Sequence, residues 1–212
     1  MELSIELEQY IRDHIVAEEP FLNQLERETN LTCIHPRMLS GHIQGKVLYM
    51  FCKMIQPRRV LELGTYTGYS AISMALALGN DAMLHTIEVR DEQEEIISKY
   101  IKKAQLENKI TAHFGDAKSI VQSIDEMFDL VFIDADKREY AEYYRLVFDK
   151  VKHGGFIIAD NILWDGKVVD PLEANDAQTR GILEFNTMVQ ADERVENVIF
   201  PFRDGMMIVR KK

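Results

Sequence analysis

Apolar positions along the chain change their period once. Residues 3–18 place Leu3, Ile5, Leu7, Ile11 and Ile15 at mostly helical spacing. Pro20 suits the first turn of a second helix carrying Phe21, Leu22 and Leu25. After a break at Cys33-Ile34-His35-Pro36, Ser40 is placed to cap a third helix, ended by Pro57, whose apolar face is Ile43, Val47, Leu48, Phe51 and Met54. From residue 59 short apolar runs alternate with amphipathic stretches. Strands are expected at 60–63, 83–89, 110–114, 128–134 and 156–160, and helices at about 67–79, 91–107, 117–126 and 138–152. Five strands joined by helices call for a parallel sheet covered on both faces. Right-handed crossovers then put the C-terminal ends of these strands on one edge, where open α/β sheets bind ligands. A last helix at about 176–190 precedes two strands at 195–200 and 206–210, and the Asp204-Gly205 pair between them is a hairpin signal. Residues 165–178 are the most loop-like segment. The expectation is one domain over 1–212, with a helical cap over 1–56 and an α/β core over 57–212.

Composition narrows the class. With 46% hydrophobic and 28% charged residues the chain reads as an ordinary soluble domain. No apolar run reaches the roughly 18 residues of a membrane span, and the acidic, amphipathic start is unlike a secretory leader, so the expected place is the cytoplasm without membrane contact. Cys33 and Cys52 fit no metal or redox spacing and read as reduced thiols. A formal charge of −10 disfavours phosphate polymers at long range. The short basic clusters Arg58-Arg59, Lys102-Lys103 and Arg210-Lys211-Lys212 read as solvated surface.

The strand ends carry the candidate chemistry. The first runs into Glu62-Leu63-Gly64-Thr65-Tyr66-Thr67-Gly68-Tyr69-Ser70, whose glycines and following helix N-terminus suit close approach of a ligand. Its Gly-x-x-x-Gly spacing lacks both the dinucleotide fingerprint and the phosphate-loop lysine, which points to a nucleoside-like ligand without a pyrophosphate. Glu88 closes the second strand, where an acidic side chain can accept both ribose hydroxyls; a helix cap or an exposed Glu is the alternative. Asp116, before Ala117, suits an adenine edge or simply the N-cap of the next helix. The fourth strand delivers Asp134, Asp136 and Lys137, and the fifth Asp160-Asn161. Asp134, Asp160 and Asn161 form an all-oxygen set suited to Mg²⁺ or Ca²⁺; an Asx turn plus a carboxylate paired with Lys137 is the alternative. Asp136 reads best as a helix cap.

With these residues assembled, the chain resembles the metal-dependent class I S-adenosylmethionine O-methyltransferases, the group of catechol and caffeoyl-coenzyme A O-methyltransferases. The resemblance rests on Glu62-Leu63-Gly64-x-Tyr66-x-Gly68-Tyr69-Ser70, on Ile133-Asp134-Ala135-Asp136-Lys137 with Tyr140, and on Asp160-Asn161-x-Leu163-Trp164-x-Gly166. It implies a Rossmann-like fold: a seven-stranded, mostly parallel sheet with a C-terminal antiparallel hairpin, helices on both faces and an N-terminal helical cap. It implies S-adenosylmethionine as cofactor, with Ser40, Glu62, Gly64, Tyr66, Ser70, Glu88, Asp116, Ala117 and Asp134 on cofactor-binding positions and Met38 to Ser40 near the cofactor methyl. Asp134, Asp160 and Asn161 fall on the ligands of Mg²⁺ or another divalent cation such as Mn²⁺ or Ca²⁺. Lys137 falls on the lysine that orients or deprotonates the acceptor hydroxyl, and Trp164 on a side chain flanking the acceptor. The expected acceptor is a small aromatic diol of catechol or caffeoyl type. His35, His42 and Phe202 are candidates to line its pocket, with structural roles the plainer reading. The second reading is 5-hydroxyuridine in tRNA, approached along Arg37, Arg58, Arg59 and the C-terminal basic trio; the third is a nucleotide-binding module without catalysis. The resemblance also suggests a homodimer through the N-terminal helices and the terminal hairpin.

Overall fold

The computed structural model describes residues 4–212; Leu3, counted above on the first helix, lies outside the described residues. In chain order the elements are α1 (Ile5–Asp13), α2 (Pro20–Thr32), α3 (Gly41–Ile55), β1 (Arg59–Leu63), α4 (Tyr69–Ala75), β2 (Met83–Glu88), α5 (Glu94–Lys103), β3 (Ile110–Phe114), α6 (Ala117–Ser123), β4 (Phe128–Ile133), α7 (Tyr140–Phe148), β5 (Val151–Asp160), α8 (Ala177–Ala191), β6 (Val195–Phe200) and β7 (Met206–Lys211). The strands form one sheet in the order β3-β2-β1-β4-β5-β7-β6, with helices on both faces. The β1/β4, β4/β5 and β2/β3 pairs are parallel, and β7 runs antiparallel to both β5 and β6. The expected sheet and terminal hairpin are therefore present. No helix among the described residues is long and apolar enough to cross a membrane.

By chain contacts the described residues divide into two compact units. One holds 4–58 and 65–115. Its α2 buries Leu22 and Leu25 as the sequence suggested, but α1 buries none of its residues, and Ile5 and Leu7 are exposed. The expected face of α3 also differs. The buried positions are His42, Gln44, Gly45, Leu48 and Cys52, whereas Met54 is exposed and Ile43, Val47 and Phe51 are half-buried. Contact with α4 selects this face, and His42 can be buried because its Nε2 lies 2.9 Å from the Val16 carbonyl. Hydrogen bonding removes the cost that made a polar face look exterior. Ser40 is itself helical and makes no capping side-chain bond, contrary to expectation.

The other unit holds Arg59–Gly64 and Asp116–Lys212. Leu130, Val131, Phe132 and Ile133 of β4 are all buried, the continuous apolar run of a parallel strand covered on both faces. β5 starts at Val151, inside the stretch expected to be helical, because Val151 pairs with Phe128 and an irregularity follows before Leu130 meets Phe156. α8 is capped by Asp176, whose Oδ1 accepts from the Thr179 amide at 2.9 Å. Its Gly181 lies so close to the turn after β4 that a Cβ would come within 2.4 Å of the Lys137 carbonyl oxygen and 2.8 Å of Arg138 Cα. Alanine normally favours a helix over glycine by about 1 kcal/mol. Here the opposing atoms are backbone and cannot swing aside, so Gly181→Ala is expected to lower stability by about 1–3 kcal/mol in urea unfolding.

Candidate active site

In the second of these units β1, β4 and β5 are neighbours running in parallel, so Gly64, Asp134 and Asp160 arrive side by side. The Asp134 amide donates to the Leu63 carbonyl at 2.9 Å. Gly64 has φ +97°, and a Cβ there would fall 2.1 Å from the Asp134 carbonyl oxygen. The glycine is thus required by contact between strand ends, a reason the sequence does not announce.

Asp136 caps the 3₁₀ turn Lys137–Glu139 by accepting from the Arg138 amide at 3.0 Å, the capping role expected of it. That turn brings Lys137 back over the strand end. Its Nζ donates to Asp134 Oδ1 at 2.6 Å and to Tyr140 Oη at 2.7 Å, and stands 4.8 Å from the centroid of the Tyr140 ring. Lys137 is 7% exposed and Tyr140 is fully buried. Burial, then the charges of Asp134 and Asp160, push the Tyr140 phenol far above its ordinary pKa, so it stays neutral. Its single proton serves the Asp160 carbonyl at 3.0 Å, with the Ile133 carbonyl at 3.3 Å, which leaves an oxygen lone pair for Lys137. An ammonium has three N–H donors. Asp134 and Tyr140 take two, and among the described residues the third has no partner.

Asp160 is buried at the end of β5, and its Oδ1 accepts from the Asn161 amide at 2.9 Å. Asn161 (φ 59°) begins a loop in which Trp164 (φ 49°) and Asp165 (φ 52°) are also left-handed. Among the described residues no three His, Cys, Asp or Glu side chains gather to hold a metal. The candidate donors are accordingly two carboxylates and one amide. Their side chains supply oxygen donors, which suit a hard divalent cation.

The other unit places a second charge at a strand end. Glu88 is buried; its Oε2 accepts from the Tyr66 amide at 2.6 Å and its Oε1 from the Arg90 amide at 3.1 Å. Burial raises its pKa, against the lowering effect of these amides. The plain reading of an exposed or helix-capping Glu88 is excluded. Tyr66 takes a left-handed φ of 52° to point its amide at Glu88, and its hydroxyl donates to the His35 carbonyl at 3.0 Å. Ser70 is buried in the first turn of α4.

The remaining candidates separate by role. Asp116 is the exposed N-cap of α6, bonded to the Ser119 amide at 3.0 Å and hydroxyl at 2.8 Å, with Ala117 next to it. Glu62 is buried within β1. His42 is structural, as its bond to Val16 shows, and Phe202 stacks on Phe200 with ring centroids 5.9 Å apart. The double role of Tyr140, three residues after Lys137, was not readable beforehand, although its helical spacing from Lys137 is the signal.

The sequence and fold point the same way. The profile of the O-methyltransferase family matches residues 12–212. Caffeoyl-CoA O-methyltransferase of Petroselinum crispum is 34% identical over 219 residues, covering 97% of this chain and 90% of that one. Among solved structures, an O-methyltransferase from Bacillus cereus in complex with SAH superposes with a TM-score of 0.92 at 27% identity, covering 98% of this chain and 97% of that one. TomG from Streptomyces achromogenes, an O-methyltransferase of tomaymycin synthesis in complex with SAM, gives 0.91 at 27% identity, covering 98% and 96%. The chain belongs to the O-methyltransferase family that includes the caffeoyl-CoA O-methyltransferases.

Proposed function

We propose that this chain, acting as a single domain, is an S-adenosylmethionine- and divalent-metal-dependent O-methyltransferase for small aromatic acceptors with vicinal oxygens, of catechol or caffeoyl type. The observation that carries the proposal is the buried Lys137 ammonium, fixed by Asp134 and Tyr140 with one N–H left over. Isolated ion pairs of this kind add little stability after desolvation, so a buried one at a strand end argues for use rather than support. The Petroselinum crispum relative is a caffeoyl-CoA O-methyltransferase, and two structural relatives hold SAH or SAM; both facts support the reading.

When bound, S-adenosylmethionine supplies an electrophilic methyl group, and a divalent cation supplies charge that favours the ionised acceptor hydroxyl. Glu88 would hold the cofactor ribose through lone pairs left by Tyr66 and Arg90, with Tyr66, Ser70 and Gly64 on the methionine side. Ser40, Glu62, Asp116 and Ala117 complete the proposed cofactor set. Asp134, Asp160 and Asn161 would hold the cation. A phenol titrates near 10, so its nucleophilic form is scarce at neutral pH. Lys137 directs its remaining N–H and its positive charge at the oxygen where negative charge develops, and Tyr140 keeps that charge in place. Trp164 would flank the acceptor ring. Holding the acceptor oxygen in line with the methyl group supplies much of the remaining acceleration.

Asp160→Ala is expected to abolish metal-stimulated methylation of catechol while SAH affinity by calorimetry stays within about twofold; unchanged turnover would remove the metal assignment. Activity should be lost in EDTA and restored by Mg²⁺. Glu88→Ala should weaken SAH binding by about 2 kcal/mol, the loss of a charge-assisted pair of hydrogen bonds. Tyr140→Phe should lower kcat about tenfold, equivalent to about 1.4 kcal/mol, with the KM for catechol little changed. A panel of catechol, caffeoyl-coenzyme A and undermethylated tRNA decides the acceptor: methylation of tRNA alone would replace the small-molecule reading.

A further inference from the structure

The hairpin turn between β6 and β7 does more than reverse the chain. From Asn161 to Gly166, four residues have positive φ: Asn161, Trp164, Asp165 and Gly166. For a residue with a side chain this conformation costs roughly 1–2 kcal/mol, so the loop holds its shape only if its surroundings impose it. The turn imposes it. The Gly205 carbonyl accepts from the Ile162 amide at 3.1 Å, and the Asp204 carbonyl accepts from the Leu163 amide at 2.9 Å. Asp204 Oδ1 accepts from the Asp165 amide at 2.6 Å. From the opposite direction, Asn186 Nδ2 of α8 donates to the Ile162 carbonyl at 2.9 Å. Gly205 leaves no gap either, since a Cβ there would sit 2.4 Å from Leu163 Cγ.

Two of the turn's three bonds are made by backbone carbonyls that any residue supplies. The third is a carboxylate oxygen at the left-handed kink itself. We infer that Asp204 is a positioning residue for the acceptor: it fixes the kink at Asp165 and thereby the placement of Trp164 and Asn161. It acts through the loop and not on the reactants. The inference rests on the methyltransferase reading for its functional consequence, but its structural content stands apart from it.

Trp164 is the only tryptophan in the chain, so its fluorescence reports on this loop alone. In Asp204→Ala, acrylamide should quench Trp164 more strongly and its steady-state anisotropy should fall. Mn²⁺ affinity, followed by electron paramagnetic resonance, should weaken about tenfold, as for other groups that orient metal ligands. The KM for catechol should rise while SAH affinity is unchanged. Asp204→Asn, which keeps an oxygen able to accept from the Asp165 amide, should restore the quenching and most of the Mn²⁺ affinity. If the alanine variant does not fold by circular dichroism, Asp204→Ser takes its place, since its hydroxyl is too short to reach the kink. Wild-type quenching and Mn²⁺ binding in the alanine or serine variant would overturn the inference. Failure of the wild-type protein to bind Mn²⁺ or methylate catechol would count against the proposed function instead, and the tryptophan measurement would still decide the role of Asp204.

Discussion

Placing an ammonium group out of water is costly, and its neighbours in the Asp116–Lys212 unit follow from it. Several kcal/mol of lost hydration must be offset at Lys137. Asp134 supplies the opposite charge, Tyr140 an oxygen lone pair and an aromatic face. Each constrains something further. Tyr140 accepts from Lys137 while its own proton serves the carbonyls of Ile133 and Asp160, so the ends of β4 and β5 are tied through one phenol. The ring is in turn held edge-on by Phe185 of α8, with centroids 5.6 Å apart. One turn earlier on the same helix Gly181 lets the backbone at Lys137 come close. Removing Asp134 or the Tyr140 hydroxyl leaves a buried charge short of a partner, a loss larger than the bond itself.

Glu88 repeats the logic with the sign reversed. A carboxylate sits at a strand end in a buried position, and backbone amides partly offset the lost hydration. The balance differs, because burial outweighs the amides and the pKa of Glu88 rises. A site in that condition gains from hydroxyl donors brought by a ligand, since each further hydrogen bond favours the ionised form. Ribose hydroxyls are donors of this type. The left-handed Tyr66 is part of the same arrangement, its strain accepted because its amide completes the contact to Glu88.

The sequence displayed what local pattern can carry. The run Leu130–Ile133 is legible because a strand covered on both faces has no polar positions to interrupt it. Asp136 and Asp116 are legible as caps because capping is decided within three residues. The buried face of α3 was not, since hydrophobic period ranks Met54 above His42, while the fold buries the histidine once Val16 satisfies it. Nor could β5 be started at Val151, whose pairing with Phe128 is a contact between distant segments. Among the candidate site residues, Asp134, Lys137, Asp160 and Asn161 stand in short motifs. Gly181 does not, and Asp204 is legible only as part of a hairpin turn: the first matters through an approach to Lys137, the second through a bond to Asp165 from 39 residues away in the chain.

The loop after β5 divides accordingly into a fixed and a variable part. Ile162 is fully buried and bonded at both its amide and its carbonyl, whereas Asp165, Gly166 and Lys167 are exposed and Val169 is 86% exposed. Changes at 160–164 would disturb a segment tied to Tyr140 through the Asp160 carbonyl and to the hairpin turn through Ile162 and Leu163. Beyond Gly166 the chain has few such ties until Asp176 caps α8 and pairs with Lys167 at 3.5 Å. Sequence can change in that interval with little effect on the strand ends. A segment with so few ties tolerates change while the strand ends stay fixed, which is the physical reason that it carries no pattern local spacing could reveal.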